Sequence, residues 1–199
     1  MLLTDGGHIE NLGIYELLRR RCKVIVVADA EADAGMNFSS FVTLQRYARI
    51  DLGIRIDLPW QEIATTTRAV MAANAGKAEM PGEKQGPHAA LGIIHYDNGT
   101  QGYLLYLKSS LTGDENDYVR DYGRRNPSFP HETTADQFFS EEQFEAYRAL
   151  GFHVAFDALK GRADIVMPDG TLQPITGPFG KRGSGGASPV EQLAAILGL

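Results

Sequence analysis

The clearest pattern along the chain is the run Lys23-Val24-Ile25-Val26-Val27-Ala28-Asp29-Ala30. A continuous β-branched stretch of this length predicts a strand covered on both faces in a parallel sheet. Before it, Leu12, Tyr15, Leu17 and Leu18 recur at helical spacing and predict a helix over 11–21. Leu2-Leu3-Thr4 reads as the end of an earlier strand, and Asp5-Gly6-Gly7 as a turn. Strand, turn, helix and strand in this length form a βαβ unit with a right-handed crossover. A second helix is expected over 38–51, with Phe38, Phe41, Val42, Leu44, Ala48 and Leu52 on one side. Ile54-Arg55-Ile56-Asp57-Leu58 alternates as a half-buried strand does, and Pro59 stops it.

Residues 65–75 read as helix, and 75–88 as an exposed loop holding Gly76, Pro81, Gly82, Gly86 and Pro87. Two strands follow, 89–96 and 102–108, joined by Asp97-Asn98-Gly99, a hairpin signal because Asn-Gly accepts positive φ. Residues 111–130 are polar and rich in turn formers. Ser140-Glu141-Glu142-Gln143 is a capping box opening a helix to about Leu150. Asp169-Gly170 marks a further tight turn, and 177–188 is a Gly/Ser-rich stretch before a short helix from Pro189. There is no internal repeat. The expected fold is α/β: a partial parallel sheet flanked by helices, with an added antiparallel hairpin. Residues 1–176 form its folded unit, and 177–199 a linker and terminal helix.

Composition changes this picture little. At 199 residues, 43% hydrophobic and 22% charged, the chain is long enough to bury a core. A net charge of −6 argues against a nucleic-acid partner, since phosphate binding needs clustered Lys and Arg. The one basic run, Arg19-Arg20-Arg21 with Lys23, ends a helix and complements its dipole, with a lipid-phosphate contact as the alternative. The single cysteine, Cys22, forms no internal disulfide and reads as a small core residue. No apolar stretch approaches the ~18 residues of a membrane span, and the opening residues lack a signal peptide's basic and apolar regions.

The chemistry concentrates in Leu3-Thr4-Asp5-Gly6-Gly7-His8-Ile9-Glu10-Asn11-Leu12-Gly13. An aspartate at the C-terminal edge of a strand in an open α/β sheet stands where catalytic groups gather. Two glycines after it permit a sharp turn. The alternative is an ordinary turn aspartate capping the next helix. This block, with the basic-ended helix and Val-rich strand after it, resembles the end of the catalytic domain in the patatin-like and cytosolic phospholipase A2 superfamily. The stretches 106–113 and 129–139 also resemble bacterial patatin-like proteins, so the likeness extends to about Gly151.

The resemblance implies lipid acyl-ester hydrolysis by a Ser-Asp dyad through a covalent intermediate, with no cofactor and no metal. Asp5 matches the dyad aspartate, which acts as general base, and Gly6 and Gly7 complete its motif. His8 lines the site mouth or is a surface residue. Asn11 lines the site or caps the helix. One departure is decisive: none of the eight serines has glycine at both −2 and +2, so the Gly-x-Ser-x-Gly elbow is lacking. Ser184 lies in glycine-rich sequence but at the wrong spacing. The expectation is a C-terminal portion, inactive alone, that begins after the nucleophile-bearing half.

The implied partners are a lipid or acyl-ester substrate and a membrane surface; sheet edges freed by the missing half are expected to pair with copies of the chain itself or to be covered by the hairpin strands Ala89 to Lys108. The expected location is the cytoplasm, or a membrane reached through the parent protein. A non-catalytic interaction module derived from the same fold is the alternative. Asp29, Glu31 and Asp33 flank a turn as three close carboxylates, a solvated loop or a cation site. The histidines, His8, His88, His95, His131 and His153, hold no pair at metal-ligand spacing. Trp60, Phe138 and Phe139 are candidates for a lipid-facing surface or for core packing.

Overall fold

The computed structural model describes residues 7, 10–82, 86–133, 135–159 and 164–174. In chain order the elements are α1 (Tyr15–Arg19), β1 (Val24–Asp29), α2 (Ser39–Leu52), β2 (Arg55–Asp57), α3 (Gln61–Asn74), β3 (Ala89–His95), β4 (Gln101–Lys108), α4 (Asp117–Arg125), α5 (Glu141–Leu159), β5 (Asp164–Val166) and β6 (Leu172–Pro174). Their sheet is mixed, in the order β1-β4-β3-β5-β6, with β2 also paired to β3. β1 runs parallel to β4 and β3 parallel to β5; the remaining pairs are antiparallel. The fold is α/β, with helices against both faces of this sheet.

The Asn-Gly signal marks the hairpin of β3 and β4, with Gly99 at φ +80 in its turn. This hairpin is the centre of the sheet, not an addition to its rim. Alternate residues face opposite cores, as the two-residue strand period requires. Ala90, Ile94, Leu104 and Tyr106 join Ile25, Val27, Phe38, Phe41 and Leu44 in one cluster. Ala89, Leu91, Leu105 and Leu107 join Val119, Tyr122, Phe129, Leu150 and Val154 in the other.

β1 departs from its pattern. Ile25 and Val27 are buried, but Val26 is 51% exposed, so the strand is covered on one face. Its β-branched run marks strand propensity, and β4 is its single neighbour among the described residues. The helix expected from residue 11 spans only Tyr15–Arg19, because residues 11–13 make a bend ending in Gly13 at φ +69. In the polar stretch 111–130, α4 forms once the Asn116 side chain accepts a hydrogen bond from Val119 N at 3.0 Å. The capping box is realised, with Ser140 Oγ accepting from Gln143 N at 3.1 Å, but α5 continues past residue 150 to Leu159. Gly151 costs the helix too little to end it, and Val154 and Ala158 are held in the second core. No helix among the described residues is long and apolar enough to cross a membrane. The strand expected at 2–4 and the tail 177–199 lie outside the described residues.

Candidate functional site

The parallel pairing of β1 and β4 sets Asp29 level with Lys108, so both strands deliver their last side chains to one edge. Asp29 and Lys108 are almost wholly buried there, with Lys108 Nζ 2.9 Å from Asp29 Oδ2. Two buried charges are tolerated only when paired and further hydrogen-bonded. Tyr106, two residues before Lys108 and on the same face, donates its hydroxyl to the same carboxylate. The other Asp29 oxygen accepts from Glu31 N at 2.9 Å, and Lys108 Nζ donates to Glu31 O at 3.3 Å. Burial and the Asp29 carboxylate together push the Tyr106 phenol far above its ordinary range.

His131 closes the cluster from the chain after α4. Its Nδ1 accepts from Asp33 N at 3.2 Å, which leaves the proton on Nε2, and that atom has no hydrogen-bond partner among the described residues. Burial, with the nearby Lys108 charge, pushes its pKa down to about 4. The loop between β1 and α2 is held by Asp33, whose carboxylate accepts from Asn37 N at 3.0 Å and Phe38 N at 2.7 Å. These bonds support Met36 and Phe38 at φ +46 and +55, left-handed conformations that bulky residues rarely adopt. The three carboxylates at this turn are therefore engaged by donors of the protein itself and do not face one another as a cation trio.

Among the residues singled out in the opening block, Gly7 and Asn11 are described, while Asp5, Gly6 and His8 lie outside the described residues. Gly7 is exposed and lines a hollow with Glu10, Asn11, Ser39, Ser40 and Thr43. Asn11 is not a helix cap. Its Nδ2 donates to Glu31 Oε1 at 2.7 Å, and Glu10 satisfies the helix start by accepting from Leu12 N at 2.7 Å and Tyr15 N at 3.0 Å. The segment leaving Asp-Gly-Gly is thereby fastened to the C-terminal edge of β1.

A second polar cluster lies on the other face. His88, just before β3, Asp114 and Glu115, just before α4, and His153, in α5, bring one donor atom each within 4.8 Å of one another. Glu115 is buried, and its carboxylate accepts from Thr112 N at 2.6 Å and Gly113 N at 3.0 Å. Its pKa is raised by burial, against the pull of those N–H groups. His153 Nε2 lies 3.2 Å from Asp114 Oδ1 and its Nδ1 3.0 Å from Asp157 Oδ2. The Asp114 hydrogen bond raises the His153 pKa. Burial and the adjacent His153 hold His88 down to about 3, as a neutral ring. Sequence spacing misses this cluster because its members come from three separate stretches. The local signal was the His153–Asp157 pair one helical turn apart.

The other candidate residues have structural places. Arg19 and Arg20 pair with Glu16, and Arg21 with Asp97. Cys22 is half-buried against the first core. Trp60 stacks on Phe38 with ring centroids 4.7 Å apart, and Phe139 on Tyr147 at 5.5 Å. They belong to opposite sides of the sheet, and Phe138 is exposed. Comparison with protein-family models, curated proteins and solved structures finds no match to this chain.

Proposed function

We propose that this chain supplies the aspartate of a Ser-Asp acyl hydrolase acting on lipid esters, with Asp5 as general base. The observation that carries the reading is the Asn11–Glu31 hydrogen bond of 2.7 Å, with the Glu10 clamp beside it. The Asn11 bond fastens the segment after Asp5-Gly6-Gly7 to the C-terminal edge of β1, where open α/β sheets carry their sites, and the Glu10 bonds tie the same segment to the start of α1. The buried Asp29, Lys108 and Tyr106 beneath that edge give it a rigid floor.

In this reading Asp5 takes the proton of a serine hydroxyl as that oxygen attacks the ester carbonyl, and an acyl-enzyme forms. Backbone N–H groups receive the oxyanion, and water then releases the acid. No serine of the chain stands in an elbow, so the nucleophile comes from polypeptide outside these 199 residues. The test is hydrolysis of a short-chain chromogenic ester by the chain alone and by the reading frame extended upstream. Activity in the extended protein only supports the proposal. Inactivity of both favours an interaction module in which Asp5 is a turn residue.

A further inference from the structure

We infer that His88, Asp114, Glu115 and His153 form a structural site for one divalent transition-metal ion of the zinc class. Two imidazoles and two carboxylates make a closed set of four protein donors, the pattern of ions that hold a fold together. The four donors come from three places, His88 beside β3, Asp114 and Glu115 before α4, and His153 within α5, so one ion joins β3, the start of α4 and α5.

The protons of the cluster point the same way. Ser110 Oγ donates to Lys108 O at 3.0 Å, so it receives His88 Nδ1–H at 2.8 Å as an acceptor. Thr112 spends its hydroxyl proton on Asp114 Oδ1. His88 Nε2, 3.1 Å from Thr112 Oγ1, therefore carries a lone pair with no proton to meet it. His88 is 1% exposed, so that lone pair is a buried electron donor aimed into the cluster. On the opposite side, Asp157 fixes the outer nitrogen of His153 at 3.0 Å, the orienting contact that metal-bound histidines commonly make. Asp114, Glu115 and Asp157 make no ion pair with Lys or Arg among the described residues; the charge partner of Asp114 and Asp157 is His153 itself.

The donors need only a small contraction. Around a tetrahedral ion with bonds of about 2.1 Å they stand roughly 3.4 Å apart, against the present limit of 4.8 Å. Side-chain rotation of Asp114 and His153, which border an open groove, supplies the difference.

The test uses the full chain, stripped with chelator and titrated with Zn²⁺ by calorimetry and with Co²⁺ by visible absorption. The account expects one equivalent of Zn²⁺ bound with a Kd near or below about 1 μM, four-coordinate Co²⁺ bands, and a Zn²⁺-dependent rise in Tm. His153→Gln removes a ligand at a half-buried position, and Asp157→Ala removes only the orienting contact. Each weakens Zn²⁺ binding by at least about tenfold, while His95→Gln, at a half-buried histidine at the far end of β3, leaves it unchanged. Circular dichroism verifies that the variants are folded. Absence of saturable binding, or equal binding by folded His153→Gln and the parent chain, overturns the inference.

Discussion

Lys108 has more to lose than its place at a strand end suggests. It is buried against Asp29, and truncating one partner of such a pair strands the other's charge. Lys108→Met is expected to cost about 3–5 kcal/mol in urea unfolding, and the double variant Asp29→Leu/Lys108→Met to recover most of it. His131 gives the site a pH signature. Its folded pKa of about 4 lies below the ordinary 6.5, so the unfolded chain binds more protons between these values. Stability is then complete above pH 6.5 and falls as pH drops towards 4. The groups facing it are Lys108, which opposes protonation, and Glu31, Asp33 and Asp29, which favour it without prevailing. His131→Gln should flatten this limb of the curve by up to about 3 kcal/mol, read from urea midpoints at pH 4.5 and 7. The sequence marks Asp29, Glu31 and Asp33 as an acidic turn, but it cannot place Lys108 or His131 among them. Those contacts span 77 and 100 residues, and they depend on strand register and on packing after α4.

At the scale of elements, local chemistry decided what could be read. The hairpin was legible because Asn98-Gly99 names its own turn, and the start of α5 because its capping box is local. Substituting Gly99, at φ +80 with open space around it, isolates the backbone cost. Gly99→Ala is expected to destabilise by about 1–2 kcal/mol. Gly151→Ala, in helical backbone with equal space for a Cβ, should stabilise by roughly 0.5–1 kcal/mol. Thermal unfolding of the two variants beside the parent chain separates these signs. α4 was not legible because six of its nine residues are charged or glycine, and its stability comes from Val119 and Tyr122 packing into the second core. The exposure of Val26 was hidden too, since a β-branched run looks the same whether one or both of its faces are covered.

At the scale of the molecule, one sheet separates two polar clusters with different characters. One lies at the C-terminal edge of β1 and β4, under the segment that leaves Asp5-Gly6-Gly7. The other ties β3, α4 and α5 together on the opposite side. The α/β class was visible in the strand and helix periods, whereas the central place of the hairpin was not, because the order of strands is a long-range property. The central claim, that Asp5 is a dyad aspartate, is tested most directly by kcat/KM for ester hydrolysis in the upstream-extended protein and in its Asp5→Asn form. Loss of a general base predicts a fall of about 10²–10⁴-fold, carried by kcat, with the fold intact by circular dichroism. An Asp5→Asn protein that hydrolyses the ester as fast as its parent would contradict the account and leave Asp5 a residue of the turn.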